Sequence, residues 1–392
     1  ECNSPQRPPA VALVNPKLGE DFHYLCSVGV IFKLGHAMLK RRHISELDLR
    51  DWLDIVALGT VADLVPLEDE NRILVRKGLQ QMERTGHPGL HALKEVAGIN
   101  GSPAAYDIGF KLGPRLNAAG RLDTAQAALD LLMTQEPPHA QALAESLDVQ
   151  NRERQDLEAR IREEAAEALI DFDPSVRGIV LGHETWHAGV VGIVASRVTK
   201  QHHRPTFIIA IDEDGIGKGS GRSIPGVSLV AALNACRDLL IAGGGHEMAA
   251  GLTIHRDHLD AFRERFCAYL EENTPVELFR PKLEIDLIAN FASLNIDLLD
   301  SYELVQPMGM GNPAPLLMSR GVTLKEEPRI LKEKHLKLPL QQEGVTVDAL
   351  YFNAAGLDLP PTPWDVAYRI DRNVYNGRSS LSMVIEAIRE AE

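Results

Sequence analysis

The sequence has few cysteines and no hydrophobic run of membrane length. Its four cysteines, Cys2, Cys26, Cys236 and Cys267, stand far apart, and the lack of short metal-ligand spacings favours a reducing compartment over a disulfide scaffold. No stretch approaches the roughly 20 apolar residues of a membrane span, and the first residues lack the basic start and apolar core of a signal peptide. The sequence therefore predicts a cytoplasmic protein that does not enter a membrane.

The chain is also short of positive charge, with 41 basic against 55 acidic residues and a net charge of −14 at pH 7. Taken alone, this balance argues against a nucleic-acid partner, because phosphate contacts normally appear as basic surface. A protein that moves along a polyanion needs only a basic track into its cleft. The candidate residues of such a track are Arg115, Arg121, Arg197, Lys218 and Arg222.

The most informative segment that is present is GFKLGPRLNAAGRL, residues 109–122. We interpret it as small, glycine-flanked turns around Arg115, Asn117 and Arg121. Arginine forks suit phosphate oxygens, and small residues let a polyanion approach the backbone closely. The segment therefore predicts a phosphate-binding surface, with an Arg-Asn helix cap packed against small residues as the alternative.

Two further segments indicate the same chemistry. LDIVALGTVADLVPL, residues 53–67, places the carboxylate of Asp63 between apolar neighbours, where an acid is costly unless it is paired or binds a metal. HAGVVGIVASRV, residues 187–198, places His187 before a glycine-spaced helix start, and such a start directs backbone N–H groups at anions.

Two glycine-rich segments complete the series. GKGSGRS, residues 217–223, and GGGHEMAAG, residues 243–251, are both predicted to be loops with free backbone donors. Each adds one strong side-chain donor, Arg222 in the first and His246 in the second. Such a combination is typical of anion binding.

In this order and at this spacing, the segments resemble the RecJ family of single-strand-specific 5′→3′ DNA exonucleases, within the DHH phosphoesterase superfamily. The resemblance implies that Asp63 in ALGTVAD is a ligand of a catalytic pair of Mn²⁺ or Mg²⁺ ions. It also implies that Arg115, Asn117 and Arg121 lie against the active-site cleft, and that His246 acts on the scissile phosphate. The substrate-binding residues implied in the accessory DHHA1 domain are His187, Arg197, Ser220, Gly221, Arg222, Ser223, Gly244 and Gly245.

The implied function is hydrolysis of single-stranded DNA in repair and recombination, with a single-strand-binding protein and a helicase as candidate partners. Two alternatives stay open. One is a DHH phosphodiesterase acting on short oligonucleotides or cyclic dinucleotides, and the other is a non-catalytic single-strand-binding replication scaffold. The carboxyl-terminal domain, which small-substrate relatives usually lack, favours a polymeric substrate.

The sequence departs from the family pattern at one place. The DxDG motif, a further Asp and the Asp-His-His triplet that the family carries ahead of ALGTVAD do not occur ahead of it in this sequence. The opening ECNSPQRPPAVALVNP resembles the stretch that follows the triplet. We therefore expect the sequence to be a fragment without most metal ligands, and to have little or no nuclease activity alone.

The predicted fold class is α/β in four parts. Residues 1–136 are expected to be the carboxyl-terminal portion of a DHH α/β domain, and residues 137–173 a connecting helix whose polar middle, QNRERQDLEAR, is typical of a helix between domains. Residues 174–275 alternate strand and helix as in an α/β domain, and the resemblance implies that this is the DHHA1 substrate-binding domain. Residues 281–392 show period-two alternation, as in a small antiparallel barrel, and the resemblance implies an OB-like domain that binds nucleic acid there.

The barrel region contains two further features. PMGMGNPAPL, residues 307–316, matches a motif that precedes the barrel in the family. Four aromatic residues are candidate platforms on which bases stack, with a core position as the alternative for each. They are Tyr351, Phe352, Tyr368 and Tyr375.

Overall fold

The computed structural model describes residues 9–18, 23–122, 124–375 and 377–391. By its internal contacts, the chain divides into two compact units. The first unit comprises Glu1–Gly86, Ile99–Gly113 and Leu283–Glu392, and the second comprises His87–Gly98 and Pro114–Lys282. Within the described residues, no helix is both long and apolar enough to cross a membrane.

The helices of the described residues are α1 (Ser27–Arg41), α2 (Leu53–Ala62), α3 (Asp69–Glu83), α4 (Pro88–Val96), α5 (Ala105–Asp107), α6 (Gly113–Leu122), α7 (Gln126–Met133), α8 (Pro137–Glu167), α9 (Val191–His202), α10 (Leu229–Ala235), α11 (Leu259–Asn273) and α12 (Ile296–Glu303). The strands are β1 (Ile179–His183), β2 (Thr206–Ile211), β3 (Ile216–Arg222), β4 (Leu240–Gly245), β5 (Ala249–His255), β6 (Leu287–Ile288), β7 (Leu317–Leu324), β8 (Arg329–Leu331), β9 (His335–Gln342), β10 (Val345–Tyr351), β11 (Trp364–Tyr375) and β12 (Arg378–Glu390).

In the first unit, the apolar helix α2 packs against α1 and α3. Its residues Val56, Ala57 and Leu58 are buried, since nearly every position from 55 to 62 is apolar or small and no polar face is available for solvent. The helix ends at Ala62, and Asp63 is its C-cap. The predicted metal ligand therefore lies at a helix terminus.

The first unit also contains a closed β-barrel. Strands β7, β11, β12, β10 and β9 follow one another by pairing, and β9 pairs back with β7. Inward-facing apolar residues alternate most regularly along β9, where Leu336, Leu338 and Leu340 are buried, as the period-two pattern predicts. The OB-like barrel prediction is confirmed, and with it the α/β fold class.

The four aromatic residues proposed as stacking platforms differ in burial. Tyr368 is fully buried and its hydroxyl lies 2.8 Å from Ser319 Oγ, so the stacking interpretation of Tyr368 was wrong and it is a core residue. Tyr351 is half-buried against the same core. Phe352 is 51% exposed, whereas the side chain of Tyr375 lies outside the described residues.

The second unit is built on a five-stranded sheet of order β1-β2-β3-β5-β4, in which only β1 and β2 are parallel. Helices α10 and α11 cover one face, where Phe207, Phe262 and Phe266 are buried. Helices α8 and α9 pack on the other face around Ile208 and Val194. A sheet between helices is the expected way to bury two apolar faces.

The prediction that GKGSGRS forms a loop was wrong, because these residues form the interior strand β3. Its backbone amides therefore pair with β2 and β5 and are not free donors. The glycines alternate along the strand, and a Cβ on Gly221 would lie 2.4 Å from the Phe207 ring. Glycine is required because large core side chains press against this face of the strand.

This packing gives a prediction about stability. Gly221→Ala should lower the free energy of unfolding of residues 1–392 by about 1–3 kcal/mol, since the added methyl group must displace Phe207 from a packed core. Gly251→Ala is the matched control, because its Cβ would find no atom closer than 3.8 Å. Unfolding of both variants is followed by circular dichroism. Equal denaturation midpoints would contradict the explanation that Gly221 is required by the packing of Phe207 against β3.

Helix α8 has 31 residues and is about 45 Å long at a rise of 1.5 Å per residue. Its middle was expected to be polar on all sides. Instead, Asn151, Arg154 and Glu158 are buried and hydrogen-bond to one another. The polar middle of α8 is therefore not exposed on every side, because paired polar groups can be buried as well as apolar ones.

Candidate phosphate-binding and metal sites

The turns predicted around Arg115, Asn117 and Arg121 are a single helix, α6. Ala118 and Ala119 are buried and provide its packing face, which explains why small residues occur there. Asn117 and Arg121 are exposed and, at a spacing of four residues, lie on one side of the helix. The prediction of turns was wrong, but the two polar side chains still share a surface.

Arg222 and Ser220 project from one face of β3. The glycines at alternate positions face the core that contains Phe207, so Ser220 and Arg222 face the opposite side, where α9 lies. Arg222 Nη1 donates to Ser220 Oγ at 2.9 Å and to the Gly221 carbonyl at 2.8 Å. These contacts hold the guanidinium beside the serine hydroxyl.

The amino-terminal end of α9 lies directly over this pair. A Cβ on Gly192 would be 3.0 Å from Ser220 Oγ and 3.2 Å from Arg222 Nη2, so a glycine is needed for the close approach. The helix has 12 residues, and its start brings the positive end of the helix dipole to this point, although the N–H groups of Val191 and Ile193 already donate to the carbonyls of His187 and Val190. An arginine, a hydroxyl and a helix start therefore converge.

Arg121 approaches the same region from α6. Its Nη1 donates to the Gly189 carbonyl at 3.1 Å, and a Cβ on Gly189 would lie 2.2 Å from the Arg121 carbonyl oxygen. The Gly189 N–H donates to His187 Nδ1 at 3.1 Å. The turn before α9 is thus fixed to the end of α6, and His187 is exposed beside it.

Several arginines in this region repel one another. Burial lowers the pKa of Arg222, and the charge of Arg121 lowers it further. Burial also lowers the pKa of Arg154, with Glu158 opposing the shift and Arg121 and Arg197 adding to it. Because arginine stays protonated in proteins, these positive charges persist and favour the binding of an anion.

Two of the predicted phosphate ligands are paired with acids in the structure. Arg197 forms an ion pair with Glu158, which also accepts from Arg154 at 2.8 Å. Arg115 pairs with Asp148 at 2.8 Å. Sequence reasoning missed both acids, because their burial depends on partners outside α8, Arg115 on α6 and Arg197 on α9.

The remaining predicted binding residues of the second unit differ in exposure. Ser223 is buried, its hydroxyl donates to the Val227 carbonyl at 2.7 Å, and its N–H donates to the Met248 carbonyl at 3.0 Å. We therefore leave it out of the candidate site. Gly244 and Gly245, by contrast, are exposed on the edge strand β4. The prediction that GGGHEMAAG is a loop was therefore wrong except for residues 246–248, because the residues before and after them belong to the paired strands β4 and β5.

His246 is exposed and follows β4 directly. Its backbone N–H donates to the Ala249 carbonyl at 2.8 Å and closes the connection to β5. In register, Gly244 lies opposite Gly251 on β5, and Gly251 lies opposite Ser220 on β3. Directly opposed residues share a sheet face. Ser220, Gly251 and Gly244 therefore form a row of small residues across three strands, which we call the floor, and β4 ends beside His246.

Asp63 is exposed at the end of α2, and its N–H donates to the Gly59 carbonyl at 3.0 Å. The expectation of a carboxylate enclosed by apolar neighbours was wrong for Asp63. The buried acid of this segment is Asp54, which sequence reasoning missed and which accepts from Thr85 Oγ1 at 2.5 Å and from the Ile55 N–H at 2.7 Å. The exposed carboxylate of Asp63 is accessible to a cation.

The chemistry of Asp63 fits a divalent metal, because Mg²⁺ and Mn²⁺ prefer carboxylate oxygens. Within the described ranges, no group of three or more His, Cys, Asp or Glu side chains is arranged to hold a metal ion. Asp63 can therefore supply one ligand, and other ligands are needed to complete a site.

Comparison with known proteins agrees with these features. Residues 175–272 match the DHHA1 domain family, and residues 285–387 match the RecJ OB domain family. Together with the arginine-lined sheet face, these matches define the chain as a multidomain protein that pairs a DHHA1 domain with an OB domain of the RecJ type.

The similarity extends over nearly the whole chain. The single-stranded-DNA-specific exonuclease RecJ of Dickeya dadantii is 36% identical over 407 residues, which cover 97% of this chain and 70% of that protein. The Bacillus subtilis RecJ is 35% identical over 391 residues, covering 97% of this chain and 49% of that protein. The crystal structure of Thermus thermophilus RecJ with Mn²⁺ superposes with a TM-score of 0.85 at 32% identity, covering 99% of this chain and 57% of that chain.

This chain belongs to the RecJ family, as the motifs predicted. It spans about half the length of the Bacillus subtilis relative and somewhat more than half of the Thermus thermophilus chain.

Proposed function

We propose that this chain forms the DNA-binding part of a single-stranded-DNA-specific 5′→3′ exonuclease of repair and recombination, and supplies one of its metal ligands. The observation that carries the proposal is the convergence of Arg222, Ser220 and Arg121 at the start of α9. The relatives named above are single-stranded-DNA-specific exonucleases, which supports the same substrate. A single-strand-binding protein and a helicase are its proposed protein partners.

The arginine site fits a terminal phosphate better than an internal one. A 5′ phosphate carries more charge and more free oxygens than a phosphodiester, and can accept hydrogen bonds from several directions at once. Arg222 and Ser220 approach from β3, and the start of α9 at Gly192 lies against both side chains. We propose that they bind the 5′ phosphate, with Arg121 contributing charge from α6.

The strand leaving this site has a defined surface to follow. The floor of Gly251 and Gly244 has no bulky side chain, so a sugar-phosphate backbone can lie close to the sheet. His246 at the end of this floor can donate a hydrogen bond to a phosphate oxygen. We propose Asn117 and His187 as additional contacts, since both are exposed near Arg121.

The proposed chemistry needs metal ions that Asp63 would help to hold. The Thermus thermophilus RecJ has been crystallised with Mn²⁺ and with Mg²⁺, which supports Mn²⁺ or Mg²⁺ as the cofactor, and we propose two ions. When bound, such a pair supplies an activated water and neutralises charge on the phosphate. Asp63 would bind one ion through its exposed carboxylate, and the arginine site would hold the substrate.

The barrel is the second proposed DNA-binding surface. Phe352 is exposed, and its ring lies 5.1 Å from that of His335 in an edge-to-face arrangement that fixes its orientation. An exposed aromatic ring on an OB barrel can stack a base without sequence preference. A polymer-binding barrel favours long single strands over cyclic dinucleotides as the substrate. We propose that the chain has the four parts expected from its sequence, residues 1–136, 137–173, 174–275 and 281–392.

Arg222→Ala tests the phosphate site. The variant loses a charge-assisted pair worth roughly 1.5–3 kcal/mol, so affinity for a 5′-phosphorylated oligothymidylate should fall about tenfold to a hundredfold. Affinity for the same oligonucleotide with a 5′ hydroxyl should change little, because that contact is absent. Both affinities are measured by fluorescence anisotropy with residues 1–392 at one salt concentration.

Lys218→Ala is the matched control. Lys218 is an exposed cation on the same strand but lies four residues before Arg222. We expect Lys218→Ala to lower the affinity for the two oligonucleotides by the same factor. If Arg222→Ala also weakens both ends equally, Arg222 contacts the internal backbone and the 5′-end assignment has to be withdrawn.

A further inference from the structure

The loop of residues 307–312, which contains the PMGMGN sequence, packs against the connection that follows Asp63. Its strongest contact is a hydrogen bond of 2.6 Å from the Leu67 N–H to the Met310 carbonyl. Leu67 is 2% exposed. The backbone four residues beyond Asp63 is therefore fixed by a segment more than 200 positions later in the sequence.

Two glycines of the 307–312 loop are needed for this contact. A Cβ on Gly309 would lie 2.7 Å from Leu67 Cδ1, and a Cβ on Gly311 would lie 2.7 Å from Pro66 Cβ and 2.9 Å from Glu68 Oε1. Gly311 also has a φ of +72°, a conformation that favours glycine. A side chain at position 311 would therefore collide with Pro66, whereas one at position 309 would displace only the end of the Leu67 side chain.

The loop is held in shape by its own hydrogen bonds. Asn312 Nδ2 donates to the carbonyls of Val305 and Pro307, both at 2.8 Å. Gly309 and Asn312 exchange two backbone hydrogen bonds, at 2.8 and 3.2 Å. Because these hydrogen bonds tie the two ends of the loop together, a shift at one end also moves the other.

Further contacts join this loop to α3 and to the barrel. Arg72 of α3 donates to the carbonyls of Leu304 and Val305, at 3.1 and 3.0 Å. Arg372 of β11 binds Glu303 of α12 at 2.8 Å. The barrel, α12, the 307–312 loop and the connection after Asp63 thus form one continuous series of contacts within the first unit.

We propose that the 307–312 loop is a positioning element for Asp63, with Gly311 as its principal positioning residue. Leu64, which directly follows Asp63, has a φ of +55°, a conformation that a leucine adopts only when neighbouring contacts hold it. We infer that contacts to the residues after Leu64 hold this turn in place. The loop provides these contacts at Pro66 and Leu67. This inference rests on the proposed function, because it assumes that Asp63 binds a metal ion.

The test compares Gly311→Ala with Gly321→Ala in the extended chain, meaning residues 1–392 preceded by a segment that carries the Asp-His-His triplet. Both glycines have a positive φ, +72° and +64°, but a Cβ on Gly321 would meet nothing within 4 Å. The two variants therefore share the backbone strain and differ in the contact with Pro66. We measure Mn²⁺ binding by electron paramagnetic resonance, and then the Mn²⁺ dependence of nuclease activity.

Gly311→Ala should raise the half-saturating Mn²⁺ concentration about tenfold, as expected when the support of a metal ligand is disturbed. The KM for single-stranded DNA should stay unchanged. Gly321→Ala should leave Mn²⁺ binding unaltered. If the two variants bind Mn²⁺ equally well, the loop has only a structural role and the proposal is overturned.

Two further variants keep the result interpretable. Gly309→Ala presses only on the flexible end of the Leu67 side chain, so it replaces Gly311→Ala if that variant does not fold, with a smaller shift in the same direction expected. Asp63→Ala tests the underlying assumption. Unchanged Mn²⁺ binding in Asp63→Ala would contradict the proposed metal ligand, whereas weakened binding there without any shift in the glycine variants would contradict only the positioning role.

Discussion

Asp63→Ala should lower the turnover of the extended chain at least about a hundredfold while leaving its affinity for single-stranded DNA almost unchanged. The substitution removes a carboxylate that we propose binds a catalytic metal ion. The proposed DNA contacts, by contrast, are made by arginines of the second unit and by the barrel. Release of nucleotides from a labelled oligonucleotide in Mn²⁺ gives the turnover, and anisotropy gives the affinity.

Asp51→Ala is the control for this experiment. Asp51 is an exposed aspartate that precedes α2, whereas Asp63 follows it, so both substitutions remove one negative charge from the same part of the first unit. Normal turnover in Asp51→Ala together with loss in Asp63→Ala would identify the position of the carboxylate as the cause. Normal turnover in both would contradict the assignment of Asp63.

Residues 1–392 alone should have less than about one hundredth of the nuclease activity of the extended chain, because a two-metal site needs several ligands that must be held together. The part of the chain that the structure describes has no cluster of three or more possible ligands. The measurement is Mn²⁺-dependent nucleotide release at equal protein concentrations.

Binding of a 5′-phosphorylated oligonucleotide is the control for this comparison. Residues 1–392 should still bind it through Arg222, which shows that the protein is folded and that only the chemistry is missing. Robust Mn²⁺-dependent hydrolysis by residues 1–392 would mean that the active site lies elsewhere in these residues. Absence of activity in the extended chain would instead favour a non-catalytic single-strand-binding protein.

Motifs predicted the family and the barrel well, because both depend on local patterns. Period-two alternation in segments such as HLKLPLQQ coincides with β9, since a half-buried strand needs that pattern. The prediction of β3 failed for a related reason. Glycines at positions 217, 219 and 221 also alternate at period two, but they were interpreted through their flexibility, whereas the cause is the bulk of Phe207 and Ile209 on the neighbouring strand.

Burial of polar residues was the hardest property to predict. The middle of α8 has no apolar stripe, so its sequence cannot distinguish a solvated helix from one that buries paired charges. The structure shows that the helix buries these charges, because Glu158 pairs with Arg197 of α9. Likewise, Asp54 and Asp63 both lie in one apolar stretch, and their opposite exposures depend on Thr85 and on where α2 ends.

The division of the chain into two interleaved units restricts how the protein can be divided experimentally. The chain passes from one unit to the other after Gly86, Gly98, Gly113 and Lys282, so no single truncation releases either unit as one uninterrupted polypeptide. Each unit must bring together segments far apart in sequence, which adds loop-closure entropy and non-local contacts to its folding. Removal of residues 283–392, for example, would take away one segment of the first unit and leave its other segments without their packing partners, so point substitutions in the intact chain are the sounder way to study it.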